Sequence, residues 1–299
     1  MRRIKLFILA VISVFIGIFT VPAYANMAAP KNDDLASGIS FEKNNALRVL
    51  SEVLDIKIKG AMADIKATYN MKNIKDTTVS TKSMFISPNI DGNTATVLMN
   101  GSSLSFTSDS YYVDYNTTSR VDGWRFVVEN PGDESEWLNK VDAITFDMEF
   151  KPNEEATIEV SYQYRLGGYP DYDFDVKRGS LTYYLSPANM WEDYGGITIN
   201  LELSPDMPVI KKSSIEFEKL SKYKYQYKSD TLPVEELTLS IDQNGWQEFT
   251  SQFNSPYLAM NIAMLLPIIL IAVVGIVIII IIIVRTGRKR KKKGNSKEL

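Results

Sequence analysis

The sequence of 299 residues contains no cysteine and no histidine. Without cysteine there are no disulfides, so burial and strand pairing must hold the fold. Without histidine, Ser-His-Asp and Cys-His nucleophile systems are excluded, and zinc sites built on histidine or cysteine are excluded as well. The chain has 36 acidic residues, and so many acids make any one carboxylate pair uninformative about a two-carboxylate enzyme. We therefore expect a protein that is not an enzyme and uses no cofactor.

One long apolar run, Ile262–Val284, dominates the carboxy-terminal region. As a helix its 23 residues would extend about 34 Å, slightly more than the roughly 30 Å hydrocarbon core of a bilayer. Basic residues follow it directly and are costly to translocate. The run predicts a single-pass membrane protein with its tail in the cytoplasm and its larger, amino-terminal part outside the cell membrane.

The amino terminus predicts export independently. Three basic residues precede the apolar stretch Leu6–Phe19, and the small residues Ala23 and Ala25 follow it. This arrangement is typical of a secretory signal peptide cleaved after Ala25. An uncleaved signal anchor is the alternative, and it would give a two-pass protein with both ends inside. The predicted organisation is a signal peptide (1–25), an extracytoplasmic β-rich domain (26–257), a transmembrane helix (258–284) and a basic tail (285–299).

The predicted exported segment is acidic. It carries 35 acidic and 22 basic residues, a net charge of −13. A surface of this sign repels phosphate backbones, which argues against nucleic acid as a partner.

Period-two alternation of apolar and polar residues marks most of the exported segment. Ile144–Phe150 and Ile158–Tyr164 show it most clearly, and it is the pattern of strands with one buried face. About a dozen such strands predict a mainly β fold, an antiparallel β-sandwich, with a possible break into two lobes near residues 167–179. Short helical turns are predicted at Ser135–Lys140 and Pro187–Glu192.

The order of these elements resembles a bacterial domain-of-unknown-function family of exported, β-rich envelope proteins. The resemblance is carried by Ala36–Phe41, Leu54–Ile58, Ala63–Asn73 and the run Leu181–Trp191, and would cover most of residues 35 to 245. The chain departs from the family pattern by placing Met190 before Trp191 and by lacking the cysteines of some relatives. The resemblance implies a fold and a location but no reaction.

An acidic repeat, Asp171, Asp173 and Asp175, resembles the start of a calcium-binding loop. However, Val176 stands where an EF-hand loop requires glycine, and no bidentate glutamate follows at the required spacing. The alternative is an acidic loop at a strand edge that discourages edge pairing. If the three carboxylates lie on one side of an extended strand, they could hold a cation loosely, and we expect no tight site.

Tyrosine and tryptophan are frequent, which makes glycan binding by ring stacking conceivable. Most of these residues fall within predicted strands, where aromatic side chains pack in the core. Trp191 is the best candidate for a ligand contact because it follows Pro187 in a predicted loop.

The basic tail has two compatible interpretations: a stop-transfer signal, and a site for anionic lipids at about 1 kcal/mol per residue near the surface. Its membrane-proximal basic residues are Arg285, Arg288, Lys289, Arg290, Lys291, Lys292 and Lys293.

The preferred function is binding or scaffolding of an envelope component or another membrane protein. A carboxylate-based cell-envelope enzyme and a sensory ectodomain coupled to a membrane partner are the alternatives. A pocket with two carboxylates about 5 to 9 Å apart would favour the enzyme, whereas a flat aromatic patch would favour binding.

Overall fold

The computed structural model describes residues 38–40, 44–113, 127–129, 139–234 and 236–295. These residues divide into two compact units. The first, the β-rich unit, comprises the described residues up to Tyr169 together with Lys177–Asn244, and the second comprises Pro170–Val176 and the described residues from Gly245 onwards. The strands on both sides of residues 167–179 therefore belong to one unit.

The described part of the chain is mainly β, as the alternation predicts. Its strands are β1 (Gly38–Ser40), β2 (Leu47–Lys59), β3 (Met62–Asn73), β4 (Val79–Ser87), β5 (Ile90–Met99), β6 (Ser102–Ser103), β7 (Phe106–Val113), β8 (Val127–Glu129), β9 (Asn139–Phe150), β10 (Glu155–Arg165), β11 (Arg178–Tyr184), β12 (Ile197–Glu202), β13 (Val209–Ser213), β14 (Glu218–Lys219), β15 (Lys224–Ser229) and β16 (Glu236–Asp242).

Among the described residues these strands form three open sheets. The largest has eight strands in the order β14-β15-β12-β2-β3-β10-β5-β6, the second has five in the order β1-β8-β7-β9-β4, and the third has three in the order β11-β16-β13. Most pairs are antiparallel, but β12 runs parallel to β2, with Ile197 opposite Glu52. The prediction of a purely antiparallel arrangement is wrong at this pair, because a long connection returns the chain in the same direction.

One hydrophobic cluster joins the inward faces of the three sheets. Ile56 and Ile65 belong to the eight-stranded sheet, Phe85 and Phe146 to the five-stranded sheet, and Leu239 to the three-stranded sheet. From Ile144 to Phe150 on β9, and along β10, the buried positions alternate as predicted. Burial of these alternating apolar side chains replaces the disulfides that the chain lacks.

Turn residues set where several strands begin and end. The turn between β4 and β5 consists of Pro88 and Asn89, and Asn89 has a φ of 58°. Asparagine tolerates this left-handed conformation better than most residues. Because Ile90 already begins β5, the turn is only two residues long.

The predicted helical turns have different outcomes. Pro187–Glu192 overlaps a 3-10 turn at Ser186–Met190. Of Ser135–Lys140, the first four residues lie outside the described residues, and Asn139 and Lys140 begin β9 instead of a turn.

The second unit contains helix α1 (Gly245–Ser251), a 3-10 turn (Gln252–Asn254) and helix α2 (Leu258–Asn295). Within α2, Leu258–Ile278 is long and apolar enough to cross a membrane, and none of it is buried against protein. Its 21 residues would extend about 32 Å. The helix continues into the basic run of the tail.

Candidate functional site

A bulge in β2 places one acidic residue on the inward face of the largest sheet. Leu47 and Val49 point inward before the bulge at Leu50, where the pairing with β3 shifts by one residue. The extra residue changes which positions face the core, so Glu52 and Leu54 point inward after it. Glu52 is 1% exposed and occupies a position that the pattern reserves for an apolar side chain.

Tyrosine hydroxyls surround the buried carboxyl. Tyr183 donates a hydrogen bond to Glu52 Oε1 at 3.1 Å, and Tyr194 donates one to Oε2 at 2.9 Å. The hydroxyls of Tyr69 and Tyr183 are 3.2 Å apart. Tyr69 lies on β3 of the eight-stranded sheet, and Tyr183 lies on β11 of the three-stranded sheet. This cluster of one carboxyl and three tyrosines therefore links two sheets through polar contacts inside the core.

Burial raises the pKa of the Glu52 carboxyl from 4.5 to about 7, although the tyrosine hydrogen bonds act to lower it. Burial is also the largest cause that raises the pKa values of Tyr69, Tyr183 and Tyr194 above the usual value. The tyrosines thus stay neutral at physiological pH. None of the ion pairs found among the described residues includes Glu52. Within the cluster, Glu52 is the group that changes charge near neutral pH.

Two glycines bring the segment that carries Tyr194 against β2. A Cβ on Gly195 would lie 1.9 Å from the backbone oxygen of Leu50, so no other residue fits without displacing backbone. Gly196 has a φ of 104°, which favours glycine. The Gly195 N–H donates to the Val49 carbonyl at 2.8 Å. This close approach is what carries the Tyr194 hydroxyl to Glu52.

A cavity of about 260 Å³ borders Tyr194. Its lining residues are Ala188, Trp191, Glu192, Asp193, Tyr194, Thr231 and Leu232. Asp193 forms an ion pair with Arg48, with 3.3 Å between Oδ2 and Nε. Tyr194 thus connects the cavity with the buried cluster, since it borders the cavity and its hydroxyl donates a hydrogen bond to the Glu52 carboxyl. The cavity wall offers aromatic, acidic and hydroxyl groups to a small polar ligand.

Trp191 lies at the cavity wall but is 2% exposed. It follows the 3-10 turn and forms a parallel bridge with Asn44. Its indole Nε1 is buried without a hydrogen-bond partner among the described residues. An exposed ring for stacking a sugar is therefore not what this side chain provides, because the core covers most of its surface.

The acidic repeat is a series of bends and turns, not an extended strand. The Asp175 N–H donates to the Tyr172 carbonyl at 3.2 Å, which closes a turn. The supposition that Asp171, Asp173 and Asp175 alternate along one side of a strand is wrong for this reason. Among the residues that the structure describes, no group of three or more acidic side chains is placed to hold a metal ion. The absence of a tight calcium site stays a prediction.

The basic residues from Arg285 to Lys293 continue helix α2 in backbone conformation. The predicted signal peptide at 1–25 lies outside the described residues. The structure thus places Trp191 and the newly found Tyr194 at one cavity, and Tyr194 donates a hydrogen bond to Glu52. The acidic repeat and the basic run belong to the second unit.

Sequence reasoning missed the cluster around Glu52. The residue stands beside Leu50 and Ser51, and the bulge interrupts the alternation just before it. One signal was present: Glu52 lies two residues before Leu54 in the alternating series Leu54, Ile56 and Ile58, so it belongs to the same face of the strand. Continuing that alternation backwards by one step would have placed an acid on the buried face.

Comparison with known proteins gives only weak structural matches. No protein-family model matches the sequence, and no curated protein matches it. A candidate nutrient binding protein of Legionella pneumophila, lpg2210, is 15% identical with a TM-score of 0.48, and the alignment covers 78% of each chain. Native yeast LTA4 hydrolase is 12% identical with a TM-score of 0.31, covering 65% of this chain and 29% of that one.

The M1 zinc metallopeptidase of Deinococcus radiodurans is 9% identical with a TM-score of 0.28, covering 68% of this chain and 40% of that one. The chain thus spans less than half the length of either peptidase. At these identities and TM-scores, the likenesses assign neither a family nor an activity to this chain.

Proposed function

We propose that this is a single-pass surface protein of the bacterial cell envelope, whose β-rich unit binds or scaffolds a partner outside the cytoplasmic membrane. The observation that carries the proposal is the helix segment Leu258–Ile278, which is unburied along its whole length and followed by the basic run Arg285–Lys293. An apolar helix without protein cover requires an apolar solvent, and a bilayer supplies one. Membership in the exported β-rich family stays a prediction.

The proposed orientation follows from charge. The basic run is retained in the cytoplasm, which leaves residues 26–257 outside after removal of the signal peptide. In the cytoplasm the same residues lie where anionic lipids are enriched, so we propose that they also contact anionic headgroups.

Protease added to intact cells tests the topology. We expect degradation of the β-rich unit and survival of a tag placed after Leu299. A protected β-rich unit with a lost tag would overturn the proposal. In a variant with Arg288–Lys293 replaced by neutral residues, we expect mixed orientation, which would show that the basic run contributes to topology.

We propose a sandwich of the eight-stranded and five-stranded sheets as the scaffold. Contacts between the two sheets support this arrangement. The rings of Phe85 on β4 and Tyr162 on β10 meet edge to face with centroids 5.4 Å apart, and Tyr162 donates a hydrogen bond to Ser87 at 3.0 Å. Because the inward faces share one apolar cluster, each sheet shields the other from water.

A binding role is favoured over catalysis by the placement of Glu52. Its pKa near 7 would suit a general acid, but the carboxyl is buried behind Tyr194 and does not line the cavity. Of the two carboxylates that do line it, Glu192 and Asp193, the second forms an ion pair with Arg48, which argues against a pair that acts together as acid and base. We therefore propose that the cavity beside Tyr194 binds a small polar group of the partner without changing it.

Filling the cavity tests the binding site. Cross-linking in intact membranes, followed by capture of the tagged protein, should yield partner bands for the wild type. The Thr231→Trp variant places an indole in the cavity and should lose them. Thr96→Trp is a matched control at an exposed position of β5 and should keep them. Identical bands from both variants would show that the cavity is not the binding site.

A further inference from the structure

The segment before the apolar helix exposes large aromatic side chains. Helix α1 carries Trp246 and Phe249, which are 73% and 51% exposed, and the following 3-10 turn carries Phe253, which is 55% exposed. The ring centroids of Trp246 and Phe249 are 5.8 Å apart, and those of Phe249 and Phe253 are 5.1 Å apart. Spacings of three and four residues place these rings on one side of the segment.

A loop that is distant in sequence, Pro170–Val176, contributes two more aromatic rings to the same unit. In Pro170–Val176, Tyr172 and Phe174 stack with their centroids 5.3 Å apart. The rings of Phe174 and Tyr257 pack edge to face with their centroids 6.2 Å apart. Tyr257 directly precedes helix α2. We call the six residues Tyr172, Phe174, Trp246, Phe249, Phe253 and Tyr257 the aromatic patch.

Water is a poor solvent for such a patch. Each ring left exposed forgoes the roughly 25 cal/mol per Å² that burial of apolar surface would provide. Tryptophan and tyrosine have an apolar body and a polar edge, and they are enriched where lipid headgroups meet the hydrocarbon core. Five of the six rings, all except Phe174, are more than half exposed, and such a set of exposed rings marks a surface that has a partner.

Position in the chain identifies that partner. Tyr257 adjoins Leu258, where the apolar helix begins, and Phe253 is five residues from it. Even a fully extended chain of five residues spans at most about 18 Å, so Phe253 stays within that distance of the level at which the helix enters the bilayer. The patch is therefore continuous with the membrane surface.

The charges around the patch specify the kind of lipid. Residues 243–257 contain one charged side chain, Glu248, and the loop Pro170–Val176 contains three aspartates. No lysine or arginine lies in either segment. Anionic headgroups would be repelled, whereas zwitterionic headgroups would accept the rings without a charge penalty.

We propose that the aromatic patch lies in the headgroup region of the outer leaflet and binds a zwitterionic lipid surface. This inference rests on the proposed membrane anchoring. It goes further by giving the acidic, aromatic loop Pro170–Val176 and helix α1 a common role: they form a second lipid contact beside the spanning helix.

Trp246 fluorescence tests the proposal. The full-length protein is reconstituted into phosphatidylcholine vesicles that carry a nitroxide either near the headgroup or deep in the acyl chain. We expect stronger quenching by the shallow label than by the deep label, and loss of that difference in Trp246→Phe. Replacing part of the phosphatidylcholine by anionic phosphatidylglycerol should reduce the quenching, because the acidic side chains are repelled.

A matched pair of variants separates the patch from general surface apolarity. Phe249→Gln removes a ring of the patch and should weaken the shallow-label quenching of Trp246. Leu220→Gln removes an equally exposed apolar side chain, 54% exposed, from the β-rich unit and should leave the quenching unchanged. Equal effects of the two changes would overturn the proposal.

Carbonate extraction distinguishes failure of the anchor from failure of the patch. Release of the protein from vesicles by carbonate would overturn the membrane anchoring and this inference with it. A retained protein with unquenched Trp246 would overturn the lipid contact alone. A retained, unquenched protein that cross-links as a dimer through residues 245–257 would assign the patch to a second copy of the chain.

Discussion

The two units use the same kinds of aromatic side chain in opposite ways. In the β-rich unit Trp191 and Tyr69 are 2% and 1% exposed, whereas in the second unit Trp246 and Tyr257 are 73% and 56% exposed. In the first case a protein core surrounds the rings, and in the second a lipid surface is the partner we propose. Exposure of a ring is therefore informative only when the neighbouring residues indicate whether water, protein or lipid surrounds it.

Charge shows the same contrast. Glu52 is enclosed by tyrosines and has its pKa raised to about 7 by burial, whereas the aspartates of the acidic repeat border an exposed turn. A carboxylate in the core influences stability through its ionisation.

A charge in the core should have the largest effect. Phe146→Asp places an unpaired carboxylate at a position that is 2% exposed in the apolar cluster, and we expect a loss of more than about 4 kcal/mol in the free energy of unfolding. Thermal denaturation followed by circular dichroism measures it. Phe249→Asp, at an exposed ring, is the control, and similar losses in both variants would contradict the assignment of Phe146 to the core.

Removal of the buried charge should change how stability depends on pH. The pKa of Glu52 is higher in the folded chain, about 7, than its ordinary value of 4.5, so burial favours the protonated form. Its contribution to stability is complete below about pH 4.5 and is lost as pH rises through about 7, by about 3 kcal/mol in all. Glu52→Gln resembles the protonated form, so it should remove this loss and be the more stable protein at pH 8.

Denaturant unfolding between pH 4.5 and 8 provides the measurement, and the quantity compared is the difference between the wild type and Glu52→Gln at each pH. Asp55→Asn, on the outward side of the same strand, is the control and should leave that pH dependence in place. Parallel curves for the wild type and Glu52→Gln would show that Glu52 does not ionise differently in the folded state.

Replacing Gly195, which allows Tyr194 to approach Glu52, should lower the free energy of unfolding by a smaller amount. Gly195→Ala forces the Leu50 carbonyl aside, and we expect a cost of about 1–3 kcal/mol in unfolding free energy. Because the shift moves Tyr194 from the carboxyl, the pH at which Glu52 titrates should change as well. Gly245→Ala, where an added Cβ meets nothing within 4 Å, should be near neutral. If Glu52 titrates at the same pH in Gly195→Ala as in the wild type, Gly195 does not position Tyr194 against the carboxyl.

Changes at the acidic repeat should affect the melting temperature least. We expect calcium to raise the melting temperature only weakly, and Asp173→Asn to leave the melting temperature in chelator unchanged, since an exposed turn without a closed shell of oxygens holds a cation loosely. Submicromolar calcium affinity that disappears in Asp173→Asn would contradict this prediction and make the repeat a metal site.

Much of the fold follows from local pattern. Alternation at Ile144–Phe150 and Ile158–Tyr164 predicts strands that the structure contains, and it identifies Phe146 as buried. Local pattern works here because side chains of a strand alternate strictly between two faces, one of which must leave water.

Pattern fails where the pairing changes. The prediction of antiparallel strands throughout missed the parallel pairing of β12 with β2, because the partner of a strand is not encoded in its own alternation. The choice of Trp191 as a ligand contact relied on its position after Pro187, and the packing around the 3-10 turn covers the ring instead. Its neighbour Tyr194 borders the cavity and reaches the carboxyl.

Composition and short-range periodicity are enough to exclude whole classes of chemistry and to predict the mainly β character and the apolar carboxy-terminal helix. Only the folded chain shows that Glu52 is buried among Tyr69, Tyr183 and Tyr194, residues from three separate parts of the chain. It also shows that Phe174 meets Tyr257. The physical reason is that such contacts depend on a bulge, a pair of glycines and the return path of distant strands, and these bring together residues whose separation along the sequence gives no sign of it.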